Sequence, residues 1–288
     1  MSPLAQPAPA SLHTTDHATS TEPAQRHRVA LGVAYLGSGY YGWQSQADGN
    51  TVQDKLEQSL GQFIAGTSPS TLCAGRTDSG VHGLMQVVHF DTNTERDEAS
   101  WVRGTNRYLP KDIAVQWARI VPRAFHARAS ARTRRYAYIL MADGVRPCLD
   151  DQRVGWIHQP LNAAHMSEAA QLLLGEHDFS SFRAAQCQSP TPIKTLLRAD
   201  ITQRGAYIRV DFEGNAFLHH MIRNIMGCLV DIGLGRQKPE WIQTVLAARS
   251  RAAASPTFSP SGLYFLGPTY DAEWGIPAHT PAFNSLPL

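Results

Sequence analysis

The chain has little that would support redox, membrane or metal chemistry. Its 288 residues include four cysteines, Cys73, Cys148, Cys187 and Cys228, which form no CxxC pair and have no histidines at zinc-ligand spacing. Packed, reduced thiols are therefore expected. The most apolar stretch, residues 217–234, is interrupted by His219, His220, Arg223 and Asp231. A bilayer core penalises such side chains heavily, so no membrane span is expected. HExxH, GxSxG and phosphate-loop spacings are absent, and neither a metal nor a cofactor is expected. The N-terminus lacks the basic start and apolar run of a secretory signal, which makes a cytoplasmic location the expectation.

Charge is also sparse. Charged residues make up 17% of the chain and the formal net charge is only +2, while 43% of residues are hydrophobic. Such a composition suits a globular protein of about two domains. Residues 1–27 and 276–288 are rich in small and polar residues and bury too little to offset ordering entropy, so both ends are expected to be tails.

Between them, two stretches read alike. Alternating apolar residues predict a strand over 28–35. Thr51 then caps a helix, with Asp54 in the capping-box position and Val52, Leu56, Leu60 and Ile64 on one face. Strands over 70–74 and 85–91, a helix over 98–108 and a strand over 113–120 complete the order β-α-β-β-α-β. The second stretch repeats it, with a strand over 135–141 and a helix over 162–174 ended by Gly175. A hairpin over 196–202 and 207–212 turns at Arg204-Gly205. Helices over 218–232 and 239–248 and a strand over 263–270 follow. The expected fold is α+β: two fused β-α-β-β-α-β (ferredoxin-like) domains, 28–131 and 132–275, with mainly antiparallel sheets flanking a cleft.

Charge is uneven along this framework. Residues 103–135 carry nine positive side chains, eight of them arginine, against the single acid Asp112, with Tyr108, Trp117 and Phe125 interleaved. Guanidinium groups clamp phosphates and aromatic faces stack on bases, so the stretch points to RNA or another polyanion. A solvated surface is the plainer reading.

Two clusters carry candidate chemistry. In 74–83 (AGRTDSGVHG), three glycines flank a polar group that holds Asp78 two residues from Arg76. Such a loop can keep a carboxylate ionised against a guanidinium. Alternatively, Asp78 is a turn residue capping its own backbone. In 215–224 (NAFLHHMIRN), helical spacing puts His219 with Arg223 and His220 with Asn224. Adjacent helical positions diverge, which argues against shared metal ligation. Arg223, on a largely apolar helix, needs an anionic partner. The aromatic loop 38–44 and Tyr136 read as packing.

With those residues in place, the chain resembles the TruA family of tRNA pseudouridine synthases. Nine blocks occur in the family's order: GSGYYGWQ (37–44), CAGRTDSGVHG (73–83), QVVHFD (86–91), LPKDIAV (109–115), FHARASA (125–131), RRYAY (134–138), LLGEHDFSSFR (173–183), NAFLHHMIRNI (215–225) and GLYF (262–265). The resemblance implies an enzyme that isomerises uridine to pseudouridine at positions 38, 39 and 40 of the tRNA anticodon stem-loop, acting as a homodimer around a basic cleft. It implies Asp78 as the catalytic carboxylate and Arg223 as its partner. Tyr136, Arg76, Leu263, His219 and Asn106 become candidate substrate contacts. The rival expectation is a non-catalytic RNA-binding module of RRM-like fold, although the RNP1 pattern is missing.

Overall fold

A computed structural model describes residues 26–278. Most of the two expected tails lies outside them. At the described margins, His27 already belongs to the first strand and Ile276 packs against the core.

The first half opens with β1 (His27–Tyr35), whose alternate residues Val29, Leu31, Val33 and Tyr35 are buried on one face. Helix α1 (Val52–Ile64) follows. Its cap is the one expected: the Thr51 hydroxyl accepts a hydrogen bond from the Asp54 amide and donates to the Asp54 carboxylate. Leu56 and Leu60 then lie fully buried against β1. Strands β2 (Leu72–Cys73) and β3 (His82–Thr92), helix α2 (Glu98–Asn106) and β4 (Ile113–Val121) complete the half. The second half runs β5 (Thr133–Ala142), β6 (Gly155–Ile157), α3 (Ala163–Gln171), β7 (Gly175–Asp178), β8 (Ile193–Arg204), β9 (Tyr207–Gly214), α4 (Met221–Gly233), α5 (Trp241–Ala248) and β10 (Leu263–Thr269). Two differences from the expected elements stand out. Helix α3 stops four residues before Gly175, which starts the short strand β7 at φ 100°. Helix α4 begins at Met221, so His219 and His220 precede it.

Each half has the strand order of a split β-α-β unit: β4-β1-β3-β2 in the first and β10-β5-β9-β8 in the second. The two sets form one continuous sheet, and the cause is the length of β2. Its two residues pair only with His89 and Val88 of β3 and leave the other end of that edge bare. There β10 joins in parallel, Tyr264 opposite His82 and Phe265 opposite Gly83, while its second edge pairs antiparallel with β5. The last strand of the chain therefore sits at the centre of the molecule. Apart from β10–β3 and β5–β6, every pairing is antiparallel.

Along the strands the side chains sort with period two. On β5, Tyr136, Tyr138 and Leu140 enter the core under α3 and α4, while Ala137 and Ile139 enter a smaller cluster with Tyr264 and Leu266. A further cluster holds Ala30, Val87, Trp117 and Phe125 together with Tyr270 and Trp274 of the C-terminal segment. Next to it His89, 2% exposed, accepts a hydrogen bond on Nδ1 from the Ala127 amide. Burial, with the nearby Arg28 guanidinium and His126, holds its imidazole down to about 4 against an ordinary 6.5. The folded state thus requires the neutral ring. Its contribution to stability is complete above about pH 6.5 and is lost as the pH falls from there to about 4. Thermal unfolding followed across that window should show a decline that His89→Gln flattens by at least about 3 °C in Tm. Parallel curves for the two proteins would remove His89 from this role.

Candidate active site

Asp78 lies in the loop between β2 and β3, and the loop is pinned on both sides of it. The Thr77 carbonyl accepts a hydrogen bond from the Trp43 amide (3.0 Å), the Thr77 hydroxyl bonds the buried Tyr35 hydroxyl (2.9 Å), and the Ser79 hydroxyl donates to the Tyr40 carbonyl (3.1 Å). Tyr40 and Trp43 of the aromatic loop 38–44 are therefore packing, as expected, but packing that sets the height of Asp78. Its pivot is Gly42. At φ 89° it takes a conformation that L side chains resist, and a Cβ there would stand 2.6 Å from the Thr77 carbonyl oxygen. Gly42→Ala should cost about 1–3 kcal/mol and, by displacing Asp78, reduce turnover about 10²-fold. Urea unfolding and initial rates check the two effects separately, and unchanged rates would show that Gly42 does not position the loop.

The Asp78 side chain does not cap its own turn. It faces α4, where Arg223 Nη1 donates to Oδ2 at 3.1 Å, with side-chain exposures of 14% for Arg223 and 22% for Asp78. The Nε of Arg223 is spent on the Phe258 carbonyl (2.9 Å), so the guanidinium is fixed at two points. The anion that an apolar helix demanded for Arg223 thus comes from 145 residues earlier in the chain. Arg76 makes a different contact: its Nη1 reaches Gln188 Oε1 at 3.3 Å, and no ion pair joins it to Asp78 among the described residues.

Both histidines also converge on Asp78. His219 Nε2 lies 3.4 Å from Oδ1 and His220 Nε2 lies 3.3 Å from Oδ2, with ring centroids 4.0 Å apart. The expectation of divergence assumed helical backbone through both residues. Instead His220 sits in the left-handed region (φ 61°) just before α4, and this turn aims both rings the same way. The His219 carbonyl accepts from the Ala184 amide, and its own amide donates to the Cys187 sulfur at 3.3 Å. Burial holds the His220 imidazole below its ordinary value, although Asp78 opposes the shift. One ligand atom from each of Asp78, His219 and His220 falls within 4.8 Å of the others, which makes this the group able to hold a metal ion among the described residues.

Around these groups opens a cleft of about 860 Å³ between the halves. Tyr136 forms its apolar wall, packed edge-on to Phe217 (5.3 Å between centroids) and tilted against Phe265 (4.9 Å), with Leu263 alongside. The Tyr136 hydroxyl has no hydrogen-bond partner among the described residues. Burial, reinforced by the Asp78 charge, pushes its pKa up, so the phenol stays protonated. Arg76, Arg128, Arg134 and Arg223 line the cleft against one acid, Asp78. Of the nine basic residues in 103–135, only Arg128 and Arg134 reach it. Arg119 and Arg132 pair with Glu98 and Asp271, and Arg134 already donates to the carbonyls of Ala74, Arg128, Ala131 and Asn215.

Asp78, Arg223, Tyr136, Arg76, Leu263 and His219 therefore meet in one place. Asn106 does not. At the end of α2, its side-chain amide both donates to the Val115 carbonyl and accepts from the Val115 amide (2.8 and 2.7 Å). That bidentate bond ties α2 to β4, and Asn106 is not among the residues lining the cleft. Sequence reasoning missed Tyr41, which is 53% exposed at the cleft mouth, and Cys187 and Gln188, which enter it from the 183–190 loop. Tyr41 stood inside a recognised aromatic block; the loop carried no signal.

The profile of the tRNA pseudouridine synthase family matches residues 32–128 and 169–271, which include Asp78 and Arg223. A protein of Polaromonas sp. named tRNA pseudouridine synthase A is 61% identical over 264 residues, covering 90% of this chain and 100% of its own length. Relatives of the same name from Acidovorax ebreus (61% over 274 residues) and Delftia acidovorans (58% over 282 residues) cover the same shares. Among solved structures, the archaeal box H/ACA sRNP Nop10–Cbf5 complex aligns with 78% of this chain and 60% of its own, at 11% identity and a TM-score of 0.32, too low to bear on the site. With its motifs matched in order and its Asp78–Arg223 pair at the floor of an arginine-lined cleft, this chain belongs to the tRNA pseudouridine synthase family.

Proposed function

We propose that the protein isomerises uridine to pseudouridine at positions 38, 39 and 40 in the anticodon stem-loop of tRNA, with Asp78 as the essential carboxylate. The observation that carries this reading is the lone acid of the cleft, aimed by Arg223 beside an apolar ring wall. The reaction breaks N1–C1′, turns the uracil and joins C5 to C1′. The proton leaving C5 is matched by one gained at N1, so atoms balance without a donor, oxidant or reductant.

A target base in a stem has to leave its stack to reach a carboxylate at the bottom of a cleft. The arginines on the rim suit the phosphates, and Tyr136 with Leu263 offers an apolar face to the flipped ring. An ionised Asp78 can act on C1′, on the ring or as a proton acceptor, and all three roles need it charged. Arg223 supplies the counter-charge by direct contact. A second carboxylate of the glycosidase kind has no place here, since Asp78 is the cleft's one acid. A binding module has no use for such a group at its floor, which weighs against the RRM-like alternative.

A homodimer working in the cytoplasm goes with this reading. No helix among the described residues is long and apolar enough to cross a membrane. Incubating the protein with unmodified tRNA transcripts and mapping pseudouridine tests the proposal. Product at 38, 39 or 40 is expected; product confined to another arm, or none, would replace it.

A further inference from the structure

The Asp78–Arg223 pair accounts for one face of the Asp78 carboxylate. His219 is a candidate substrate contact and His220 has no role in the proposed reaction, yet both imidazoles meet the same carboxylate. Their Nε2 atoms approach the carboxylate at 3.4 and 3.3 Å. A tetrahedral ion with bonds of about 2.0–2.1 Å holds its ligand atoms about 3.3–3.4 Å apart. These distances run to different oxygens of the carboxylate, and one ligand atom from each residue lies within 4.8 Å of the others, so side-chain rotation would bring the three to the edges of such an ion.

We propose that Asp78, His219 and His220 form a three-ligand site for a divalent cation of borderline softness, with Zn²⁺ as its type, and that occupancy switches the cleft off. Three features support it besides distance. Arg223 takes Oδ2, which leaves Oδ1, the oxygen next to His219, open to a cation. The ligands are reachable, with side-chain exposures of 39% for His219, 27% for His220 and 22% for Asp78, and the cleft leaves the fourth position to water. The backbone is preset: His220 is held at φ 61° before a helix whose buried face anchors it, so both rings already face Asp78 and only side-chain rotation is needed to close on an ion. Two imidazoles and one carboxylate match Zn²⁺ better than Mg²⁺ or Ca²⁺, which prefer oxygen.

The nearby guanidinium opposes a second positive charge. Affinity should therefore fall short of a closed structural zinc site, with half-saturation on the order of 10 µM free Zn²⁺. The ion would occupy the oxygen that the proposed reaction needs and fill the space beside Tyr136. Metal binding itself does not depend on the proposed function; only the loss of activity rests on that reading.

The test uses the full chain freed of metal with chelator. Calorimetric titration with Zn²⁺ should give one saturable ion, and Co²⁺ in its place should develop the strong visible absorption of a tetrahedral site. His219→Gln or His220→Gln should weaken binding at least about tenfold, and the double variant should abolish it, with circular dichroism confirming the fold. Pseudouridine formation by the unaltered protein should fall in step with occupancy and return on adding chelator, whereas Mg²⁺ should leave it unchanged. Lack of saturation by Zn²⁺ and Co²⁺ at 1:1 would overturn the site without any variant. Undiminished binding in the folded double variant would overturn it too, by locating the ion elsewhere. An ion bound at these residues with modification unaffected keeps the site and instead removes Asp78 from the proposed reaction.

Discussion

Asp78→Asn is expected to abolish pseudouridine formation, with a loss of at least about 10³-fold, while the protein still folds and binds tRNA. The substitution keeps shape and removes charge. The amide can accept from Arg223 through its oxygen, so the loop, fixed through Thr77 and Ser79 rather than through Asp78, should hold its position. The amide cannot attack a carbon or take a proton. The Arg223 charge would be left without its anion in a largely buried place, at a cost of about 1–3 kcal/mol. Rapid-quench assays on a tRNA transcript, with gel-shift binding and urea unfolding alongside, separate these effects. Turnover within tenfold of the unaltered protein would remove the carboxylate from the chemistry. Lost binding with normal stability would recast it as a contact for RNA.

Arg223→Ala should lose both activity and stability, and the pairing of the two losses is diagnostic. Arg223 joins the 74–83 loop to the 255–262 segment by bonding Asp78 and the Phe258 carbonyl with one guanidinium. Its removal strands a carboxylate that is 22% exposed and frees a backbone acceptor. A fully buried broken pair costs about 3–5 kcal/mol; the partial exposure here lowers the expectation to about 2–4 kcal/mol. Activity should fall by about 10²-fold or more, because Asp78 loses the contact that aims it. Arg223→Lys separates the contributions. A single ammonium cannot make both bonds, so charge returns without the fork, and rates should recover only in part. Full activity in Arg223→Lys would show that charge alone matters. Full activity in Arg223→Ala would dismiss the pair.

Local pattern made much of this molecule legible. Period-two burial on β1 and β5 and the Thr51 cap of α1 follow from neighbouring residues, and so does the duplicated β-α-β-β-α-β order. The site was legible wherever a residue conflicted with its surroundings. Arg223 on an apolar helix required an anion, and Asp78 between glycines required a purpose. Asn106, a candidate only through the resemblance, lies away from the cleft, where its amide bonds Val115. The divergence expected of His219 and His220 did not hold because the expected helix began at 218, three residues before α4, across a left-handed backbone at His220.

Sequence alone thus determined most of the elements, their order in each half and the need of Arg223 for an anion, because each depends on short-range periodicity, capping or the need to neutralise a buried charge; that Asp78 is this anion came from the resemblance and the fold. Tertiary structure decided that two expected sheets are one. A two-residue β2 leaves an edge of β3 open, and β10, from the far end of the chain, pairs there. It also decided that most of the basic stretch faces away from the cleft and that two histidines face into it. Those outcomes depend on contacts between residues more than a hundred positions apart, which no local pattern encodes.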